Sequence, residues 1–207
     1  MAFGSMSFLF GFLPLTLLCY FLMPRRWRSG RNLVLLLFSL AFYCWGGVRL
    51  LPAFAVSCVG NWAAALLSAP GRRHRKAVYA AAVVFNVLML GYYKYTGFLL
   101  GNLAALGMDV TVPSIALPAG ISFFTFQAMS YVIDVYRKDS PAQRNFIDLA
   151  AYIAMFPQLI AGPIVRYSDI ASQLEHRTHS LADVAAGARR FVLGLGKKVL
   201  LANVFYE

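Results

Sequence analysis

Charged residues are scarce in this sequence. Asp, Glu, Lys and Arg together make up 13% of its 207 residues, about half the share found in ordinary soluble proteins. Hydrophobic residues make up 60%, and a soluble fold of this size could not bury that much apolar surface without large exposed patches. The composition therefore excludes a soluble domain. It predicts an integral membrane protein, because lipid tails solvate apolar side chains.

Cysteine and histidine are also rare, with three of each. Cys19, Cys44 and Cys58 each lie inside an apolar run without a Cys-x-x-Cys pair. This excludes a disulfide framework and predicts small buried side chains. His176 and His179 are three residues apart and have no third strong ligand nearby in the sequence, so we predict no metal site.

Acidic residues are few as well, with 8 Asp and Glu against 19 Lys and Arg and a net charge of +11. Such a charge can indicate nucleic-acid binding. Here, however, the basic residues form short clusters between apolar runs, as cytoplasmic loops of membrane proteins do. We therefore predict no nucleic-acid partner. Met1–Ser7 carries no charge, and Arg25, Arg26 and Arg28 follow the first apolar run. This order excludes a cleavable signal peptide and predicts an N-terminus outside the membrane.

Five apolar stretches have about the 20 residues that a membrane-spanning helix needs. They are Ser7–Met23, Asn32–Leu51, Pro52–Ala69, Ala77–Leu100 and Leu117–Tyr136. The loops Pro24–Arg31 and Pro70–Lys76 hold four Lys or Arg residues each, whereas Gly101–Pro113 holds none. This alternation agrees with the orientation predicted from the N-terminus. Lys94, among tyrosines near the outer end of the fourth stretch, is expected to snorkel toward the interface.

The remaining sequence does not read as a further regular span. Phe146–Tyr167 contains Pro157 and Pro163, which break a helix, and broken backbone at membrane depth must be shielded by protein or line a cavity. We therefore predict a re-entrant element there. Arg189–Ala202 has basic and apolar faces, which predicts a helix lying on the membrane surface. The predicted fold class is an all-α polytopic membrane protein with about five spanning helices, a re-entrant element and an interfacial helix.

Polar residues follow one face of the fifth stretch. Gln127, Ser130 and Asp134 recur at helical spacing, with Arg137 one turn further on. Polar groups in a membrane helix face protein or a watery cavity. Two interpretations stay open: a cavity wall, or interhelical hydrogen bonds with an Asp134–Arg137 pair at the interface.

Three segments carry a family resemblance. Leu117–Gln127, Ser130–Arg137 and Phe156–Tyr167 together resemble the membrane-bound O-acyltransferase family, most closely its bacterial branch that O-acetylates alginate and similar exopolysaccharides. Shorter segments, Pro24–Trp27 and Lys197–Val199 among them, extend the resemblance along essentially the whole chain. The D-alanyl transfer protein of teichoic acids is a similar alternative, and a transporter is an alternative of another class.

The resemblance implies a function. Family members pass an acyl group from a cytoplasmic thioester, such as acetyl-CoA, to a hydroxyl acceptor. In the alginate branch the acceptor is an extracytoplasmic polysaccharide, periplasmic proteins complete the transfer, and the enzyme lies among the lipids of the bacterial inner membrane. No bound cofactor or metal is implied.

The resemblance also places the catalytic residue outside this sequence. The family's essential histidine follows a tryptophan in the C-terminal half, and this sequence has no Trp-His pair. Residues 1–207 therefore resemble an N-terminal half, with the expected histidine beyond Glu207, and alone they are expected to be inactive and to accumulate poorly. No catalytic role is assigned here. The residues expected to line a tunnel or position substrate are Gln127, Ser130, Asp134, Gln158 and Arg166.

Overall fold

The structure is a computed structural model that describes residues 3–24, 26–159, 162–202 and 204–205. Every regular element within these ranges is helical. The α-helices are α1 (Leu13–Leu22), α2 (Arg28–Cys44), α3 (Leu51–Ser68), α4 (Arg75–Leu90), α5 (Thr96–Ala105), α6 (Ile121–Arg137), α7 (Phe146–Ala154), α8 (Phe156–Leu159), α9 (Tyr167–Glu175) and α10 (Leu181–Lys197). The prediction of an all-α protein is confirmed.

Wider π-helical turns continue three of these helices. One, Ser7–Phe12, leads into α1, and another, Gly91–Tyr95, joins α4 to α5 without a break. The third, Lys198–Ala202, follows α10. Among the described residues, two helices are long and apolar enough to cross a membrane by themselves: Leu51–Ser68 with 18 residues and Arg75–Ala105 with 31. Five spans therefore remain a prediction.

Two helices end at other residues than the predicted spans do. The second span was predicted to reach Leu51, but α2 ends at Cys44. Gly47 follows with a φ of 141°, a backbone conformation that favours glycine and ends the helix. The fourth span was predicted to end at Leu100, but the helix continues to Ala105.

Helix α6 lies at the centre of the bundle and packs against α3 and α4, while α7 packs against α2. The Phe124 ring meets the Phe54 ring of α3 edge-on, with 5.2 Å between centroids. The Tyr136 ring stacks on the Tyr79 ring of α4, with 4.1 Å between centroids. Cys58 is buried as predicted, whereas Cys19 and Cys44 are only partly buried, and all three are free thiols.

The predicted basic loops meet at one end of the bundle, here called the basic end. The Arg75 guanidinium, at the start of α4, donates to the Tyr136 carbonyl at the end of α6 and lies 4.5 Å from the centre of the Tyr136 ring. At the start of α2, Asn32 Nδ2 donates to Asp148 Oδ1 at the start of α7, over 2.7 Å. Which side of a membrane this end faces stays a prediction.

Helix α10 begins eight residues before the predicted interfacial segment Arg189–Ala202. Ser180 and Asp183 form a reciprocal capping box that starts the helix at Leu181. None of its residues is buried. It remains a surface helix, and its contact with lipid stays a prediction.

Candidate functional site at a broken helix

The structure breaks the helix between α7 and α8 within the segment predicted to be re-entrant. Met155, with φ −49° and ψ 111°, leaves the helical conformation and separates Ala154 from Phe156. Pro157 lies in the first turn of α8, where its missing N–H has no helical partner to lose. A break of this kind leaves backbone groups without helical partners, and buried groups need other ones.

Two glutamine side chains meet at this break. Gln127 of α6 and Gln158 of α8 each donate an amide N–H to the Tyr152 carbonyl oxygen, both over 2.9 Å. On the other side of the break, the Phe156 backbone N–H donates to Ser39 Oγ of α2 over 3.2 Å. Two backbone groups at the break, the Tyr152 carbonyl and the Phe156 N–H, therefore have side-chain partners from α2, α6 and α8.

The chain then turns back toward its starting point. The Tyr152 hydroxyl donates to the Val165 carbonyl over 2.6 Å. Asn32 Nδ2 donates to Asp148 Oδ1 at the start of α7 and reaches the Leu174 carbonyl in α9 over 3.4 Å. Asp148 near the start of the segment and Leu174 just after its end thus lie close together at the basic end, and a re-entrant path through a membrane stays a prediction.

Gly162 allows the tightest part of this return. A Cβ atom at Gly162 would lie 2.3 Å from Gln158 Cα and 2.8 Å from the Pro157 carbonyl oxygen. Its backbone N–H donates to the Gln158 carbonyl over 3.2 Å. Only glycine permits this approach of two backbone segments.

A small cavity of about 160 Å³ lies beside the break. Gln158 lines it together with Met155, Val165, Gln173 and Arg177. Gln158 thus both holds the break and faces the cavity. Gln127 is 1% exposed and does not line this cavity, and its contact with the Tyr152 carbonyl is an interhelical hydrogen bond.

The other three predicted site residues lie nearby without joining this junction. Ser130 Oγ donates to the Gln127 carbonyl within its own helix over 2.9 Å. Asp134 is buried, and its Oδ2 has no hydrogen-bond partner among the described residues. Arg166 and Arg137 are both exposed, and both carry charge that acts on Asp134. The predicted Asp134–Arg137 pair stays a prediction.

A second polar cluster, not predicted from the sequence, lies at the basic end. Arg177 donates to Asn32 Oδ1, and its guanidinium lies 5.1 Å from the centre of the Tyr20 ring. The Arg31 guanidinium lies 5.2 Å from the same ring centre and donates to the Met23 carbonyl over 2.9 Å. Burial lowers the pKa of Arg177 from its ordinary value. The sequence features that could have indicated this cluster are Asn32 and Asp148, two single polar residues at the ends of apolar runs.

The three histidines lie apart from the break. His179 Nε2 lies 2.8 Å from the Tyr20 hydroxyl, and His74 and His176 are exposed. Nowhere in the described ranges do three or more potential His, Cys, Asp or Glu ligands come together to hold a metal ion.

Comparison with known proteins decides the family. The model of the membrane-bound O-acyltransferase family matches residues 9–206. The chain belongs to this family. The chain is therefore a membrane protein. The broken helix lies within the matched range. No solved structure matches the chain.

The similar curated proteins include O-acetylases. The chain is 44% identical over 98% of its length to the probable alginate O-acetylase AlgI of Azotobacter vinelandii, covering 42% of that protein. It is also 44% identical over 98% of its length to the protein of that name in Pseudomonas aeruginosa, covering 40% of it. The peptidoglycan O-acetyltransferase of Helicobacter pylori is 30% identical over 97% of the chain, which covers 44% of that relative. The chain thus spans about two fifths of the length of these relatives.

Proposed function

We propose that the intact protein is an O-acetyltransferase that passes an acetyl group from a cytoplasmic thioester, such as acetyl-CoA, to hydroxyls of an extracytoplasmic polysaccharide such as alginate. The observation that carries this proposal is the 44% identity, over 98% of the chain, to proteins named as probable alginate O-acetylases. In this proposal the protein lies in the bacterial inner membrane with its N-terminus outside.

The described residues act as a rigid wall of the transfer path in this proposal. Acyl transfer needs a base near neutral pH to take the proton of the acceptor hydroxyl, and we assign that base to a histidine beyond Glu207. Gln158 faces the cavity of about 160 Å³ and Gln127 fixes the backbone behind it. Ser130, Asp134 and Arg166 are assigned to the polar surroundings of the same path.

Transfer to a polymer outside the membrane also needs acceptor-side proteins. We assign this step to periplasmic acetylation partners that deliver the acetyl group to the polysaccharide.

Deletion of the gene tests the proposal. The acetyl methyl signal of purified exopolysaccharide is measured by proton NMR before deletion, after deletion, and after return of the intact gene. We expect the signal to fall to background and to recover only with the intact gene, not with a gene for residues 1–207. Unchanged acetylation after deletion would overturn the proposed function.

A second acceptor is peptidoglycan, favoured by the 30% identity to the peptidoglycan O-acetyltransferase of Helicobacter pylori. Mass spectrometry of muropeptides from the same strains separates the two acceptors, because O-acetylation adds an acetyl group to the glycan. Loss of acetylated muropeptides with unchanged exopolysaccharide would select peptidoglycan. Loss of D-alanyl esters instead would select the teichoic acid alternative.

A further inference from the structure

A cleft of about 630 Å³ opens at the basic end, away from the broken helix. Three basic side chains from two separate segments line it: Arg72 after α3, and Lys138 and Arg144 in the connection from α6 to α7. All three are exposed. None of the described residues that line the cleft is acidic. The lining of the cleft therefore carries only positive charge, and the nearest acidic residue in the chain is the exposed Asp139 between Lys138 and Ser140.

Ser140 adds a polar group to the wall of this cleft. Its side chain is 6% exposed, and its Oγ has no hydrogen-bond partner among the described residues. A buried hydroxyl without a partner costs free energy, and such a group in a native protein calls for a ligand or another partner. Because this Oγ atom is enclosed by protein, the hydroxyl donates to an anion held by the three cations only after its side chain rotates toward the cleft that the residue lines.

The loop that carries Ser140 and Arg144 is held on both sides. The Gln143 backbone N–H donates to the Tyr131 hydroxyl over 2.8 Å, and Trp62 Nε1 donates to the Gln143 carbonyl over 3.0 Å. At the start of the connection, Lys138 has a φ of 72°, in the left-handed region. The loop is thus fixed before any ligand arrives, which lowers the entropy cost of binding.

Not every basic residue at this end can bind an anion in the cleft. Arg75 donates to the Tyr136 carbonyl and lies over the Tyr136 ring, so it joins α4 to α6. Arg72, Lys138 and Arg144 instead share one concave surface.

We propose that this cleft binds a phosphate group, carried by an anionic phospholipid. A phosphate offers several acceptor oxygens and a negative charge to the three cations and the Ser140 hydroxyl. The cleft lies between the end of α3 and the end of α6, at the level where α4 begins. Since α3 and α4 are long enough to cross a membrane, that level is where lipid headgroups lie. The site is separate from the acyl-transfer path and does not depend on the proposed function.

Lipid retention by the intact protein tests the site. The protein is purified from nanodiscs of phosphatidylcholine with a minor share of phosphatidylglycerol, and bound lipid is counted by native mass spectrometry. Arg72→Gln, Lys138→Gln and Arg144→Gln are each expected to lower phosphatidylglycerol retention by about fivefold. Ser140→Ala is expected to lower it by about threefold without changing the charge.

A matched variant separates the cleft from the general positive charge of this end. Arg26→Gln, Arg73→Gln and Lys76→Gln together remove the same charge from exposed residues that do not line the cleft. We expect this triple variant to keep phosphatidylglycerol retention within about twofold of the parent. Equal losses in this variant and in the combined Arg72→Gln, Lys138→Gln and Arg144→Gln variant, or no loss in either, would overturn the site.

A second arm identifies the source of the phosphate. Inorganic phosphate and glycerol 1-phosphate are titrated into the protein held in phosphatidylcholine alone. Weak binding of these soluble anions beside strong phosphatidylglycerol retention supports the lipid. Soluble binding that the cleft variants abolish, with unchanged lipid retention, would overturn the lipid as the source. Thermal unfolding of each variant ensures that a loss of binding is not a loss of folding.

Discussion

Helices α6 and α10 have the same length and opposite surroundings. Each contains 17 residues. In α6 nine side chains are buried, and these include the polar Gln127 and Asp134. In α10 none is buried, and its large apolar side chains, Leu181 and Val192 among them, are exposed.

The comparison shows that the polar residues of the two helices lie in different environments. In α6 the polar side chains point into the protein, where Gln127 holds a backbone carbonyl of another helix. In α10 the basic side chains Arg189, Arg190 and Lys197 lie on the surface. A polar stripe therefore faces the protein interior in α6, whereas in α10 the basic side chains and most of the apolar ones are exposed alike. Four experiments test this comparison.

Gly162→Ala should have the largest effect. The new Cβ atom would lie 2.3 Å from Gln158 Cα, so the return of the chain beside α8 must shift. We expect the intact protein to lose about 4 kcal/mol of unfolding free energy, measured by denaturation in detergent. The control is Gly187→Ala in α10, where nothing lies within 4 Å of the new atom. There we expect no loss, and a gain of up to about 1 kcal/mol from helix propensity. Equal losses at both positions would contradict the comparison.

Asn32→Ala should rank next. Asn32 is 0% exposed, and its amide joins the Asp148 carboxylate, the Leu174 carbonyl and Arg177. Its loss leaves a buried carboxylate without its donor, which is expected to cost about 3 kcal/mol. The same denaturation experiment measures it. Asn102→Ala, where the amide donates only to a carbonyl in its own exposed turn, should cost less than about 0.5 kcal/mol. A neutral Asn32→Ala would show that the contact between α2 and the start of α7 is dispensable.

Gln127→Leu and Gln158→Leu should be coupled, because both amides donate to the Tyr152 carbonyl. Either change alone leaves the carbonyl one donor and is expected to cost about 0.5 kcal/mol. The double variant leaves a buried carbonyl without a donor and is expected to cost about 2 kcal/mol. The double-mutant cycle should then give a coupling of about 1 kcal/mol. Strict additivity would mean that the two amides act on separate groups.

Ser180→Ala should have the smallest and most local effect. Hydrogen bonds from the Ser180 side chain and backbone lower the pKa of Asp183 from its ordinary value. Their stabilising contribution is therefore present above the pKa of the unfolded chain and disappears as the pH falls through the lowered pKa of the folded helix. We expect about fivefold faster amide exchange in the first turn of α10 at neutral pH, and a smaller difference in strong acid, where the Ser180 hydroxyl of the parent still accepts from the Asp183 backbone N–H. Exchange equal to that of an exposed control variant, Ser168→Ala, would contradict the capping role.

Local chemistry predicted much of the fold. The charge-rich loops separated the helices, and Pro157 with Pro163 indicated the broken segment between α6 and α9. The break itself lies at Met155, before the first proline, because Pro157 fits the first turn of α8.

The partners across the fold could not be predicted in the same way. Both glutamines donate to the backbone carbonyl of Tyr152. The position of this carbonyl depends on where the helix breaks, and the pattern of side chains in the sequence does not indicate it. Asn32 and Asp148 are 116 residues apart, and only the packing of α2 against α7 brings them together.

The continuous helix Arg75–Ala105 has a consequence for the lipid around the protein. Its 31 residues extend about 46 Å, well beyond the roughly 30 Å hydrocarbon thickness of a typical bilayer. Lys94 and its neighbouring tyrosines lie about 28 Å from Arg75 along the axis, one hydrocarbon thickness away. When Lys94 and these tyrosines lie among the lipid headgroups, Phe98 and Leu99 lie outside the hydrocarbon region of a thin bilayer. In a thicker bilayer they lie within it. Membrane thickness thus becomes a physical variable that sets the tilt of this helix and the membranes in which the protein is most stable.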